Sequence, residues 1–176
     1  MSDFEEFLQL SRERNWDKIF FFSHPNQRKG CSSEEINYLE RETDLKLPKT
    51  YKDFLSYCGY GLGDFSVGSD MFYETDLIAL QKDARDLLIE NNFRQKLPND
   101  AYVFWMHGGY MFCFFRVSEG DNPPVHFYRE SFKDDFAWNY HPHFTEFLIQ
   151  RMQADAEHRE SASQIGERIA RDWTRG

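Results

Sequence analysis

Residues 101–117 read AYVFWMHGGYMFCFFRV, and this stretch decides the fold. Two runs rich in aromatic and aliphatic residues, 102–106 and 110–117, flank His107-Gly108-Gly109. Glycine readily adopts the positive φ that tight turns between strands require, so the pattern predicts an antiparallel β-hairpin.

A third apolar run, 125–128, follows a turn formed by Asp121-Asn122-Pro123-Pro124. Three consecutive antiparallel strands are therefore expected. Their apolar runs are nearly continuous, whereas a half-exposed strand alternates polar and apolar residues. Either other elements cover both faces of the sheet, or one face is an aromatic binding surface.

Helical patterns precede the hairpin. Residues 3–15 form one, and a turn-rich segment at 24–30 separates it from the next. Ser32 and Glu35 have the spacing of a capping box, in which each side chain bonds the other's backbone N–H. We expect Pro48 to be the first residue of the following helix, and Gly59 to end it in the left-handed conformation.

Two more helices complete the pattern. Asp76 is suited to cap a helix whose buried stripe contains Leu80, Ala84, Leu87 and Leu88, and Asn91-Asn92 would end it. A short strand is expected near 65–67, and a closing core helix at 142–152. The predicted fold class is α+β, with a central antiparallel sheet flanked by helices.

The composition narrows the classes of function. The 176 residues carry 30 Asp and Glu against 21 Lys and Arg, a net charge of -9. This argues against binding to nucleic acid or anionic membranes, and it favours either a basic partner or solubility alone. The three cysteines suggest no disulfide framework, and neither a signal peptide nor a membrane span is evident, so we expect a cytoplasmic protein.

No residue pattern indicates a catalytic, metal or cofactor site. Gly59-x-Gly61-x-Gly63 follows a helix, whereas a dinucleotide-binding loop follows a strand. His141-Pro142-His143 reads as a surface turn, because a metal site needs three or four convergent ligands. We therefore predict a protein that is not an enzyme and that uses no metal or cofactor.

One acidic stretch is a candidate binding site. No Lys or Arg occurs between Lys52 and Lys82, although acids and aromatics alternate there. Such a loop suits capture of a basic protein surface, and an ordinary acidic loop is an equally good interpretation. The predicted partner-binding residues are Tyr60, Asp64, Asp70, Phe72, Tyr73, Glu74 and Asp76.

Short motifs along 32–150 resemble the SUKH superfamily, which includes bacterial toxin-immunity proteins and fungal regulators of cell-wall synthesis. Its opening pattern is matched by Glu34-Glu35-Ile36, Leu47-Pro48, Tyr51, Phe54-Leu55 and Gly59. Its hairpin, next strand and closing helix resemble Gly108-Gly109, Val125-His126-Phe127-Tyr128 and Phe144-Thr145-Glu146-Phe147-Leu148. Cys58-Gly59-Tyr60-Gly61 replaces the family's usual Asn-Gly-Gly.

The resemblance implies a SUKH-like domain at 32–152, with an N-terminal helix and lead-in at 1–31 and a polar tail at 153–176 that is either helical or irregular. It implies an immunity protein that neutralises a cognate toxin by direct binding, and many such toxins are basic nucleases. A regulatory adaptor of an endogenous partner and a hydrolase are the alternatives. The protein is expected to be a monomer or a weak homodimer.

Overall fold

The computed structural model describes the backbone of residues 1–20 and 29–173, and the side chains of these ranges except Asp17, Ile19 and 162–173. Most of the turn-rich segment expected at 24–30 lies outside the described residues. The helices are α1 Asp3–Glu13, α2 Trp16–Ile19, α3 Ser33–Thr43, α4 Lys49–Cys58, α5 Leu77–Glu90 and α6 Phe144–Trp173. The strands are β1 Ser69–Asp70, β2 Ala101–His107, β3 Met111–Arg116, β4 Val125–Arg129 and β5 Ala137–His141.

The five strands form one antiparallel sheet in the order β1-β2-β3-β4-β5. The predicted β2–β3 hairpin is confirmed, and Gly108 and Gly109 have φ of 59° and 72°. The prediction of a strand near 65–67 is wrong, because the strand in this part of the chain is Ser69–Asp70. Ser66 has a φ of 58°, which is incompatible with an extended strand.

The predicted helix caps are partly confirmed. Ser32 and Glu35 form the capping box, and Asp76 Oδ1 accepts a hydrogen bond from Ala79 N–H at 3.1 Å. Pro48 is the residue that caps α4 and not its first helical residue. Gly59 has a φ of −57°, so the left-handed prediction is wrong.

Close packing explains the glycine at position 59. A Cβ at Gly59 would overlap the Cys31 sulfur and lie 2.6 Å from the Leu55 carbonyl oxygen. Cys31 N–H also donates to that carbonyl, at 2.8 Å, which holds the segment before α3 against the end of α4. The glycine is therefore needed for the close approach of two segments and not for a left-handed turn.

Other elements cover both faces of the central strands. On one face, the buried rings of Tyr51 on α4 and Phe144 on α6 pack against Phe115. On the other face, Phe136 packs against Phe114, and Phe93 packs against Tyr128. The continuous apolar runs therefore belong to a sheet that is covered on both sides at its centre.

Gln81 of α5 completes the hydrogen bonding of β2 where β1 is too short to do so. Its side-chain amide donates to the Val103 carbonyl oxygen at 2.6 Å and accepts from Val103 N–H at 2.9 Å. β1 pairs only with Met106 and His107. Gln81 thus occupies the place of a strand partner, which accounts for a buried amide on the apolar side of α5.

The closing helix is longer than expected. α6 begins at Phe144 and continues without a break to Trp173. In the two described ranges, no helix is both long enough and apolar enough to cross a bilayer.

Candidate protein-binding surface

The loop that follows α4 is closed by one backbone hydrogen bond, from Tyr73 N–H to the Gly59 carbonyl at 2.6 Å. A second bond, from Tyr60 N–H to the Lys29 carbonyl at 2.8 Å, ties the start of the loop to the segment before α3. The Tyr60 and Tyr73 rings lie with their centroids 5.2 Å apart. Two of the predicted site residues are therefore neighbours because the loop returns to its starting point.

Glu35 of α3 fixes the position of Tyr60. The Tyr60 hydroxyl donates to Glu35 Oε1. This bond raises the pKa of Tyr60 to about 12, and it lowers the pKa of Glu35. The Lys29 ammonium lies 3.7 Å from the centroid of the Tyr60 ring, which is a cation–π contact. Tyr60 is thus held by a carboxylate at its hydroxyl and by a cation at its face.

These contacts define a surface that we name the tyrosine–acid patch: Tyr38, Tyr60, Tyr73, Glu74 and Asp76. Tyr38 is 42% exposed, and Glu74 and Asp76 are exposed. Burial raises the pKa of Tyr73, and the carboxylate of Glu35 raises it further. In the patch, Tyr38, Glu74 and Asp76 are exposed, and the rings of Tyr60 and Tyr73 are partly buried.

Tyr38 was missed by sequence reasoning. It lies three residues after Glu35 on α3, and residues at that spacing share one face of a helix. Its i, i+3 spacing from the capping-box glutamate is a signal that could have identified it, once Glu35 was known to face the loop.

The remaining predicted residues have other surroundings. Asp64 Oδ2 pairs with Arg159 Nη2 of α6 at 2.8 Å. Phe72 stacks on the buried Phe54, with ring centroids 6.2 Å apart, and therefore belongs partly to the core. Asp70 is exposed on β1, opposite Met106. The structure thus brings together Tyr60, Tyr73, Glu74 and Asp76 but places Asp64 against a different element.

The sequence also matches a known protein family. A family model for the SMI1/KNR4 family (SUKH-1) matches residues 30–150. The chain belongs to this family. A search of curated proteins finds no significant match. SUKH proteins are generally immunity proteins or regulators without enzymatic activity, so membership supports a protein-binding role.

The SUKH-1 match ends within α6, and the next two turns of that helix hold the loop in place. Asp155 Oδ2 accepts a hydrogen bond from Ser66 N–H at 3.0 Å, and Asp155 Oδ1 pairs with Arg151 at 2.7 Å. Arg151, Asp155 and Arg159 are spaced by four residues and so lie along one helix face. Sequence reasoning assigned Arg151 to the closing helix and Asp155 and Arg159 to the tail, and it missed their contacts, although the i, i+4 spacing of alternating charges was a visible signal.

Three histidines near the end of this SUKH-1 domain have structural surroundings. His141 was predicted to lie in a surface turn, but it is the last residue of β5 and is buried. His126 pairs with Glu119 at 2.9 Å and accepts a hydrogen bond from Asn139 N–H, and His143 bonds the Asn122 carbonyl. Among the side chains that the structure describes, no three His, Cys, Asp or Glu residues are grouped as metal ligands would be.

Proposed function

We propose that this SUKH-1 protein acts in the cytoplasm as an immunity protein and neutralises a cognate toxin by binding it directly. The toxin would present a basic surface, as nucleases do. The tyrosine–acid patch is the observation that best supports the proposal, because it combines pre-positioned phenol rings with exposed carboxylates. It lies on a member of a family of immunity and regulatory proteins. As a monomer or weak homodimer, the protein would present this patch to its partner.

The charge of the loop favours a basic partner. Neither Lys nor Arg occurs between Lys52 and Lys82. Asp70 and Glu74 are exposed, and neither has an ion-pair partner within the described part of the chain. Charges of this kind steer an oppositely charged protein toward its docking site and disfavour acidic competitors.

The tyrosines favour a specific complex over simple charge attraction. Tyrosine is enriched at the energetically dominant positions of interfaces, because it offers a large contact area at a low entropic cost. Tyr60 is held before binding by its hydrogen bond to Glu35 and by Lys29. The internal Lys29 contact supports a basic partner, because it is an example of an ammonium group held against a tyrosine face of this patch.

A survival assay tests the proposal. Cells that express the candidate toxin are supplied with the wild-type chain or with the double variant Asp70→Lys/Glu74→Lys. We expect the double variant to lose protection, because it places two cations in the path of a basic partner. The matched control is Glu90→Lys/Glu130→Lys, which makes the same change in net charge at exposed positions outside the loop.

Full protection by the double variant of the loop would contradict the proposed surface. Loss of protection by both double variants would contradict a localised site and point to net charge alone. The candidate toxins are those encoded beside the gene for this chain.

A regulatory adaptor that binds an endogenous protein is the second candidate, because the family match is to SMI1/KNR4, a family of immunity and regulatory proteins. Affinity capture followed by mass spectrometry separates the two candidates. Capture of a housekeeping protein by wild type but not by the double variant would favour the adaptor. Capture of a toxin under the same conditions would favour immunity.

A further inference from the structure

A second candidate site lies on the face of the sheet that α6 covers. An open pocket of about 280 Å³ is formed between α6 and residues of β2, β3, β4 and β5. Its walls include the aromatic rings of Trp105, Phe127, Tyr140 and Phe147. None of the residues that line it belongs to the tyrosine–acid patch. Its volume is near the lower end of the ~300–1,000 Å³ that is typical of small-ligand sites.

The aromatic walls are held by contacts with one another. Tyr140 stacks on Phe127 with ring centroids 4.9 Å apart, and Trp105 meets Phe147 edge to face. Trp105 Nε1–H is bonded to Ser66 Oγ at 3.2 Å, so the indole cannot turn freely. A flat apolar group that enters the pocket would therefore find ring faces and edges already in position.

Arg151 supplies the cation in this pocket. Its Nη2 pairs with Asp155 at 2.7 Å, and its guanidinium carbon lies 5.9 Å from the Trp105 ring centroid. The guanidinium is therefore fixed in orientation. Its Nε is buried and, within the described part of the chain, has no hydrogen-bond partner. Asp155 thus occupies only part of a planar fork that can hold a second carboxylate.

The pocket residues His141 and Cys113 carry no negative charge that would repel an anion. His141 is 7% exposed, and its Nδ1 is buried without a hydrogen-bond partner among the described residues. Burial lowers the pKa of His141, so the ring is neutral at pH 7. Burial raises the pKa of Cys113, so its thiol is also neutral. Among the side chains that the structure describes, the carboxylate paired with Arg151 is that of Asp155.

We propose that this pocket binds a small planar carboxylate of the aryl-acid class, with its ring between the aromatic walls and its carboxylate on Arg151. An apolar cavity with a few convergent polar groups is the usual form of a small-ligand site. Arginine is the residue best suited to hold a carboxylate beside an aromatic surface, because its fork is planar and weakly hydrated. This inference is independent of the proposed toxin binding.

Titration with phenylacetate and its neutral amide, phenylacetamide, tests the inference. The binding heat and the NMR signal of the Trp105 indole N–H are followed together. We expect saturable binding of phenylacetate with a dissociation constant of ~1 mM or below, and at least tenfold weaker binding of phenylacetamide. The Trp105 signal should shift with the same midpoint as the heat.

The role of Arg151 is tested with variants of similar size. Arg151→Gln should reduce the preference for the acid to less than twofold, and Arg151→Lys should retain part of it. Arg94→Gln, at an exposed arginine that does not line this pocket, should behave as wild type. Circular dichroism checks that each variant is folded.

Three results would each overturn the inference: no saturable binding of phenylacetate, equal affinity for acid and amide, or unchanged acid preference in folded Arg151→Gln. None of them would bear on the survival assay, because that assay compares variants of Asp70, Glu74, Glu90 and Glu130 that all keep the wild-type Arg151.

Discussion

The carboxylate of Asp155 on α6 accepts a hydrogen bond from the backbone N–H of Ser66, 89 residues earlier in the chain, at 3.0 Å. Ser66 lies in the acidic loop and has a φ of 58°, a conformation that a serine rarely adopts without support. Asp155 lies beyond residues 30–150, which match the SUKH-1 family. A helix turn outside the matched region therefore stabilises the loop that the family region provides.

Asp155→Ala is expected to destabilise the protein by about 1–3 kcal/mol, because it leaves Ser66 N–H and Arg151 without their acceptor. Urea unfolding measures the change. Glu157→Ala, at an exposed position on the same helix, is the control and should cost less than about 0.5 kcal/mol. Equal stability of the two variants would show that the Asp155 contacts do not hold the loop.

Gly59→Ala is expected to destabilise the protein by about 1–3 kcal/mol through overpacking. The added methyl would meet the Cys31 sulfur and the Leu55 carbonyl oxygen. The control is Gly109→Asn, because Gly109 has open space around it and asparagine tolerates its positive φ. Thermal unfolding of both variants checks the prediction, and a Gly59→Ala protein as stable as wild type would refute it.

Glu40 should make stability depend on pH in the acid range. Burial raises the pKa of Glu40, but hydrogen bonds from Lys46 and from Leu47 N–H outweigh it and leave the pKa below 4.5. Because the folded-state pKa is lower than the unfolded one, the stabilisation is complete above about pH 5 and is lost as the pH falls through the folded-state value.

Unfolding midpoints in urea between pH 7 and pH 3 test this prediction with Glu40→Gln. The wild type should lose more stability on acidification than the variant does. Glu42→Gln, at an exposed position on α3, should follow the wild type. A parallel pH dependence in all three proteins would contradict the role of Glu40.

The β2–β3 hairpin and the helix caps at Ser32 and Asp76 could be predicted because each depends on residues close in sequence. Gly108-Gly109 and Ser32-Glu35 specify their local geometry almost alone. Strand β5 was not predicted, and the reason is also local. Asn139, in the middle of the strand, has a φ of 52°, and its N–H donates to the His126 ring. Residues 137–141 are therefore an irregular strand, without the strict alternation of side chains between the two faces of a sheet.

The candidate site could be predicted only in part. Tyr60, Tyr73, Glu74 and Asp76 are close in sequence, and the composition of their loop was informative. The pairing of Asp64 with Arg159 joins residues 95 positions apart, and no local pattern reveals it. The hydrogen bond from Tyr60 to Glu35 similarly requires that α3 pack beside the loop.

The affinity of the cognate toxin for Tyr73→Ala and for Asp70→Lys/Glu74→Lys tests the central claim most directly. We expect each variant to raise the dissociation constant at least tenfold, which is about 1.4 kcal/mol. The double variant should act mainly through slower association that depends on salt, and Tyr73→Ala through faster dissociation. Wild-type affinity in both variants, with Glu90→Lys/Glu130→Lys as the charge-matched control, would contradict the assignment of this surface.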